Sequence, residues 1–169
     1  RDRVSDYSTT TEVLYQGDHF PGLGIHPETI PCFLTTAFTM KGFQEVQETY
    51  QKKGYTYIRT RNPNRTALGE VLSCLEGGEA SLIFASGMGA ITSTLLAILE
   101  PGDHIICNAN IYGETFCVMT QILKKCNVEV TLVDYQNTED IVRALRPNTR
   151  LVYSEVFSNP TLTLVDLRA

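Results

Sequence analysis

The five cysteines, Cys32, Cys74, Cys107, Cys117 and Cys126, are odd in number and include no C-x-x-C pair. A secreted disulfide framework favours an even set, so a reducing compartment is the better reading and a cytoplasmic location is expected. The opening Arg1-Asp2-Arg3-Val4-Ser5-Asp6 holds no apolar run, and no signal peptide is read in it. Histidine is scarce: His19, His26 and His104 are scattered along the chain. His104 and Cys107 lie three apart on a candidate strand, which turns them to opposite faces and makes a poor chelate, so no zinc site is expected. Missing too are a G-x-S-x-G, a persuasive Ser-His-Asp set, internal repeats and low-complexity segments. Positive charge is in deficit, with 14 Lys and Arg against 19 Asp and Glu and a net charge of −5. Nucleic acid and anionic membranes are therefore not expected partners, and any bound anion must be held by a local set of donors.

The one long stretch without charge, Ala80 to Leu99, has 20 residues, enough to span a bilayer. Ser81, Ser86, Gly87, Gly89, Thr92, Ser93 and Thr94 interrupt it, and Ser86-Gly87 divides it into a short apolar run and a longer one. It reads as a buried strand, a turn and a buried helix rather than as a membrane span.

What is present is a globular composition, 43% apolar and 20% charged over 169 residues, sufficient for one domain with a hydrophobic core. Residues 1–50 show little periodicity, with turn signals at Gly17-Asp18 and Pro21-Gly22-Leu23-Gly24, and are expected to form an extended arm ending in a short helix around Gly42 to Lys53. From Asn64 on, Ala67, Leu68, Val71, Leu72 and Leu75 recur at helical spacing, and Gly77-Gly78 supplies a stop. Gly69 inside that helix costs about 1 kcal/mol relative to alanine.

Three repeats of strand and helix follow. Strands are expected at Ser81 to Ala85, His104 to Asn108 and Val128 to Val133, with a fourth at Arg150 to Val156. Helices are expected at Met88 to Leu99 and Gly113 to Lys125, and a third is capped by Asn137, with Glu139 and Asp140 at its positive end, Arg143 and Arg146 at its negative end, and Pro147 as the stop. The alternation gives an α/β fold with a mostly parallel sheet.

In such sheets ligands bind where strands run into helices. Ala85-Ser86-Gly87-Met88-Gly89-Ala90 has the small residues and the following helix start of a phosphate cradle. It is not the dinucleotide G-x-G-x-x-G, since position 92 is Thr, and it lacks the Lys-Ser/Thr of a P-loop. A plain tight turn would read the same way. Tyr57, Arg59 and Arg61 cluster before a helix, and Tyr57 and Arg59, two apart in an extended segment, point to one side. An arginine fork with a phenol suits a phosphate dianion, although a solvated basic loop has the same composition. Tyr112, after a strand and at a helix start, can stack on a planar ligand, and Glu155-Val156-Phe157-Ser158-Asn159-Pro160 leaves a strand on the same edge. Together the loops suggest a planar, phosphorylated cofactor.

At these residues the sequence resembles the cysteine/methionine-metabolism (trans-sulfuration) family of pyridoxal-phosphate enzymes, which includes cystathionine γ-lyases, methionine γ-lyases, cystathionine γ-synthases and O-acetylhomoserine sulfhydrylases. The likeness runs from about Pro31 to Ala169 through Tyr57-x-Arg59-x-x-Asn62-Pro63, Leu75-Glu76-Gly77-Gly78, Ser86-Gly87-Met88-x-Ala90, Gly102-Asp103, Tyr112-Gly113-x-Thr115 and Glu155-x-x-x-Asn159-Pro160-x-x-x-x-x-Asp166. The resemblance implies the large domain of a fold-type-I, aspartate-aminotransferase-like enzyme with pyridoxal 5'-phosphate as cofactor. It implies that the Gly87 and Met88 N–H groups bind the cofactor phosphate, and that Tyr57 and Arg59 reach the phosphate of a neighbouring subunit. Tyr112 is implied to stack on the pyridine ring and share in proton transfer, and Asn159 to lie near the cofactor's phenolic oxygen and the substrate carboxylate. A homo-oligomer, a dimer of dimers with shared active sites, follows, with residues 1–50 as an arm contacting a neighbour and residues 51–169 as the first part of the cofactor domain.

Departures from the family pattern are Arg61 for glycine, Asn64 for threonine, Gly69 for glutamate, Glu114 for a small residue and Val156-Phe157 for Thr-Pro. The family's S-x-T-K segment, with its Schiff-base lysine, and its D-N-T segment do not occur; the five lysines, Lys41, Lys52, Lys53, Lys124 and Lys125, stand in other contexts. The expectation is therefore an N-terminal portion of a sulfur amino-acid enzyme acting by γ-elimination on a small sulfur or homoserine-derived amino acid, with the complementary C-terminal portion as a further segment or a separate chain. The alternatives are γ-replacement and a catalytically inactive phosphate-binding or assembly module. An ordinary dinucleotide-binding domain is disfavoured by the missing fingerprint.

Overall fold

The apolar run at His104–Asn108 forms strand β1, and all five of its residues are buried. A strand buried on both faces needs neighbours on both edges, and β1 has them: β2 (Glu129–Val133) and β3 (Thr149–Tyr153) pair with it in parallel, in the order β2-β1-β3. On the β3 side His104 is opposite Thr149 but Ile105 is opposite Leu151, so Arg150 is an extra residue in the ladder. The computed structural model describes residues 8, 29–52, 54–159 and 161–168. The turn signals at residues 17–18 and 21–24, with His19 and His26, lie outside the described residues. The chain divides into two units, Arg1–Ile83 and Phe84–Ala169.

In the first unit, helix α1 is Phe43–Gln51 and helix α2 is Pro63–Glu76. Asn62 caps α2 by accepting the Arg65 N–H at 3.2 Å, Pro63 occupies the first turn, and Gly77, left-handed at φ 65°, closes the other end. Two departures from the family pattern have structural reasons here. Asn64 accepts the Phe33 N–H and donates to the Pro31 carbonyl, both at 2.8 Å, tying residues 31–33 to the helix start. Gly69 is a contact position, since a Cβ there would stand 3.1 Å from the Ser81 carbonyl oxygen.

In the second unit, α3 (Gly87–Ile98) is capped by Ser86, whose hydroxyl accepts the Gly89 N–H at 3.0 Å. Helix α4 runs through Gly113–Cys117, a π-helical turn at Val118–Ile122, and Leu123–Lys125. The π turn suits the burial pattern. Thr115, Met119 and Leu123 are all fully buried and four apart, a spacing that drifts by about 40° per step on a regular helix of 3.6 residues per turn. A wider turn keeps the three in line toward the sheet. Helix α5 (Thr138–Ala144) starts where Asn137 accepts the Glu139 N–H.

Right-handed crossovers put α4 and α5 on opposite faces, because β1 to β2 moves one way across the sheet and β2 to β3 moves back. Two cores result. Leu95, Leu99, Ile105, Cys107, Met119 and Leu123 pack on one face, and Ile106, Tyr135 and Val165, with Ile141 and Ala144 against them, pack on the other. Each fully buried aliphatic side chain contributes about 1.5–3 kcal/mol.

Three expectations are corrected. Ser81 to Ala85 forms no strand; residues 81–84 have no ladder among the described residues, and Leu82 is 85% exposed. An apolar run becomes a strand only where a neighbouring backbone pairs with it. Residues 154–156 lie beyond β3, which ends at Tyr153. Arg146 stands past the end of α5 and pairs across to Glu129 at the start of β2, while Arg143 pairs with Glu139 and Asp140 on the helix.

His104 fixes the amino end of the sheet. It is fully buried, with Nδ1 2.8 Å from Thr149 Oγ1 on β3 and Nε2 2.8 Å from Thr131 Oγ1 on β2. Burial lowers its pKa from the ordinary value, the nearby Arg146 guanidinium lowers it further, and Glu129 acts in the opposite sense. The folded ring stays neutral where the unfolded one takes up a proton, so stability is intact above the unfolded value of about 6.5 and falls as pH drops below it. His104→Gln is expected to show a smaller loss of urea midpoint between pH 7.5 and 5.5 than the parent protein, and equal losses would refute the assignment.

Candidate functional site

The order β2-β1-β3 reverses the direction of chain travel at β1, and in parallel sheets the crevice at such a reversal, beyond the carboxyl ends of the strands, takes ligands. The loops leaving β1 and β3 flank it, and polar side chains join them. Asn108, the buried last residue of β1, donates to Ser154 Oγ at 3.1 Å and accepts the Asn110 N–H at 3.1 Å. Glu155 Oε2 accepts the Tyr112 N–H at 3.0 Å. Tyr112 is the N-cap of α4 and is 43% exposed.

Gly87 and Met88 open α3 beside this crevice's α4 wall. Thr115, fully buried, sets its hydroxyl 3.7 Å from Met88 Sδ, so it joins α4 to the start of α3. The first N–H groups of a helix have no acceptor within it. Ser86 Oγ takes the Gly89 N–H and the Ser86 carbonyl takes that of Ala90; those of Gly87 and Met88 have no acceptor among the described residues. A Cβ at Gly87 would meet nothing within 4 Å, whereas one at Gly89 would lie 3.1 Å from Ser86 Oγ. The turn thus presents two donors and the positive end of a 12-residue helix to open space, an arrangement suited to an anion.

Asn159 is exposed, in the turn between the bridged residues Phe157 and Leu164. Buried Ser158 organises that turn: its N–H donates to the Thr163 carbonyl at 3.0 Å and its hydroxyl accepts the Thr163 N–H at 2.8 Å. Glu114 is exposed in the first turn of α4, where a carboxylate complements the helix end.

Tyr57 and Arg59 belong to the first unit. The Arg59 guanidinium lies 4.8 Å from the centroid of the Tyr57 ring, but the segment is not extended as expected: the Thr60 and Arg61 N–H groups, both at 3.1 Å from the Tyr57 carbonyl, close a turn that brings the pair together. Their backbone is fixed by the Ala37–Tyr57 bridge and by Arg65, which donates to the carbonyls of Ile58 at 2.8 Å and Arg59 at 3.2 Å.

Two groups near the crevice are removed from acid–base work. Burial, with Glu155 acting in the same direction, pushes the Cys107 thiol up to about 12. Burial and Glu155 also raise Tyr153, against a lowering by the Thr115 hydroxyl. Sequence reasoning did not assign Asn108, Thr115 or Glu155. Thr115 and Glu155 lie inside quoted motifs, but the Glu155–Tyr112 bond spans 43 residues and nothing local announces it.

The sequence profile of the family described as "Cys/Met metabolism PLP-dependent enzyme" matches residues 11–169. An L-methionine gamma-lyase of Fusobacterium nucleatum subsp. nucleatum is 40% identical over 142 residues, 83% of this chain and 36% of that protein. A probable cystathionine gamma-synthase of Herpetosiphon aurantiacus is 34% identical over 164 residues, 97% of this chain and 49% of that protein. The crystal structure of metB from Corynebacterium glutamicum superposes with a TM-score of 0.84 at 30% identity, covering 96% of this chain and 40% of that one. The chain therefore spans less than half the length of these relatives. No helix among the described residues is long and apolar enough to cross a membrane.

Thr115→Val keeps the shape of the junction but removes the hydroxyl that donates to Met88 Sδ. It is expected to cost about 0.5–1.5 kcal/mol in a urea titration, the net worth of one hydrogen bond. An unchanged midpoint would mean the junction holds by packing alone.

Proposed function

Because this chain belongs to the family of Cys/Met metabolism PLP-dependent enzymes, we propose that it carries the phosphate and ring side of a pyridoxal 5'-phosphate site in an enzyme that eliminates the γ-substituent of a sulfur-containing amino acid. The observation that carries this is the pair of acceptor-free N–H groups at Gly87 and Met88, beside an open Gly87, joined through Thr115 to the helix that Tyr112 begins. These residues fit the group: two donors and a helix end for a phosphate, and an exposed ring for a pyridine.

When bound, pyridoxal phosphate supplies an electron sink for the bond broken at the substrate's α-carbon. The chain's own residues bind and orient. Gly87 and Met88 hold phosphate oxygens through backbone N–H groups, which carry partial positive charge without a lysine. Tyr57 and Arg59, already stacked on each other, present a phenol and a guanidinium fork to the phosphate in a neighbouring subunit. The Tyr112 ring lies against the pyridine, and its phenol moves a proton at the substrate. The Asn159 amide binds near the substrate carboxylate. Residues 1–50 serve as the arm that contacts the neighbour, residues 51–169 as the first part of the cofactor domain, and the assembly is a cytoplasmic homo-oligomer. None of the lysines stands in an S-x-T-K segment, so the reaction is assigned to the full-length encoded protein, or to this chain with its complementary portion.

Support for elimination comes from the likeness to an L-methionine gamma-lyase at 40% identity. The likeness to a probable cystathionine gamma-synthase over 97% of the chain favours γ-replacement as the second reading. Supplying L-methionine or L-cystathionine to the full-length protein separates them. Release of ammonia and a 2-oxo acid supports elimination, while a new thioether from an O-acyl-homoserine and a thiol supports replacement. An absence of cofactor absorption refutes both.

Two substitutions test the assignments. Arg59→Ala is expected to weaken cofactor retention by about 2–5 kcal/mol, read by dialysis against absorbance; full retention would remove Arg59 from the phosphate. Tyr112→Phe is expected to keep the cofactor and lower kcat about a hundredfold, the loss of one proton-transfer group. Wild-type turnover in that variant would leave Tyr112 a stacking role only.

A further inference from the structure

Tyr112 sits where a loop becomes a helix, and two things hold its backbone. Behind it, its carbonyl accepts the Phe116 N–H at 2.9 Å, the first bond of α4. In front, its own N–H points out of the helix, with φ −54° and ψ 136°, and meets Glu155 Oε2 at 3.0 Å. Bonds to a carboxylate are roughly twice as strong as neutral ones. Sterics do not lock the loop, since the next residue is Gly113, where even a Cβ would meet nothing within 4 Å. Glu155 itself is well anchored. It is half-buried, two residues past β3, and its carbonyl accepts the Ser154 hydroxyl at 3.1 Å, whose oxygen in turn accepts from Asn108 at 3.1 Å. The two loops are therefore cross-linked twice, by Asn108–Ser154 at the strand ends and by Tyr112–Glu155 farther out.

We propose that Glu155 is a positioning residue: its carboxylate holds the Tyr112 N–H and so fixes where the Tyr112 ring stands at the carboxyl edge of the sheet. Its catalytic consequence rests on the reading of Tyr112 as the residue that faces the cofactor. A tyrosine ring has only two side-chain torsions, so its place is set largely by its Cα, and a loop free to shift spends less time in the productive geometry.

The test follows hydrogen–deuterium exchange at the Tyr112 amide in the full-length encoded protein, together with steady-state kinetics. Glu155→Ala is expected to speed exchange at Tyr112 by about tenfold or more while β1 amides stay protected, and Glu155→Gln, which keeps an acceptor oxygen, to restore most of the protection. In the loaded enzyme kcat should fall for alanine and recover in part for glutamine, with cofactor absorption retained because the phosphate donors lie on α3. Exchange at Tyr112 that is equal in parent and Glu155→Ala, or an unchanged kcat in that variant, overturns the proposal. Should the alanine variant fail to fold, Glu155→Met, similar in length but without an acceptor, takes its place with the same expectations. A parent protein that takes up no pyridoxal phosphate refutes the proposed function, and the exchange comparison still decides whether Glu155 holds Tyr112.

Discussion

Strand β1 is bonded along both edges and covered on both faces, and the second unit is arranged around that fact. Its five residues hold no room for a charged side chain, so the one titratable imidazole in it is accommodated between two threonine hydroxyls. With both edges of β1 occupied, β2 and β3 end beside it, and the loops that leave β1 and β3 are forced into neighbouring positions. Asn108 and Ser154 meet because their strands are in register, and Tyr112 and Glu155 meet because those loops have nowhere else to run. The chemistry at the carboxyl edge is a consequence of parallel pairing before it is a consequence of any single side chain.

Local order was legible where the physics is local. Asn137 caps a helix as expected, Gly77 ends one in the left-handed region, and His104–Asn108 is the strand that its apolar run indicates, whereas the caps at Asn62 and Ser86 went unassigned. Pairing was not legible. An apolar run such as residues 81–85 specifies that a segment favours burial, but whether it becomes a strand depends on a neighbour's free backbone edge, a property of the sheet and not of the run. The π turn was hidden for a similar reason: the four-residue spacing of Thr115, Met119 and Leu123 is visible, but it asks for a wider turn only once all three are known to face one sheet.

Of the candidate site, residue types were readable and relations partly so. Tyr57 and Arg59 do meet, but across a turn closed on the Tyr57 carbonyl and not along the extended segment that their two-residue offset suggested. The donors at Gly87 and Met88 follow from any helix start. The tether between Glu155 and Tyr112 joins two loops separated by two helices and two strands, and no periodicity reaches that far. The net charge of −5 does not count against the proposed anion site, whose donors are backbone N–H groups and a helix end and not the surface as a whole.

The glycines at 87 and 89 stand two residues apart in one turn and have different surroundings. At 89 a methyl group would stand 3.1 Å from the capping hydroxyl, so any side chain there requires the cap to give way. At 87 the space is empty, and the fold is indifferent to what fills it. A lineage that gave up its anion would be free to drift at the first position while the cap still constrained the second. Under the proposed function the two positions would separate in a set of related sequences, with position 89 following the fold and position 87 the ligand.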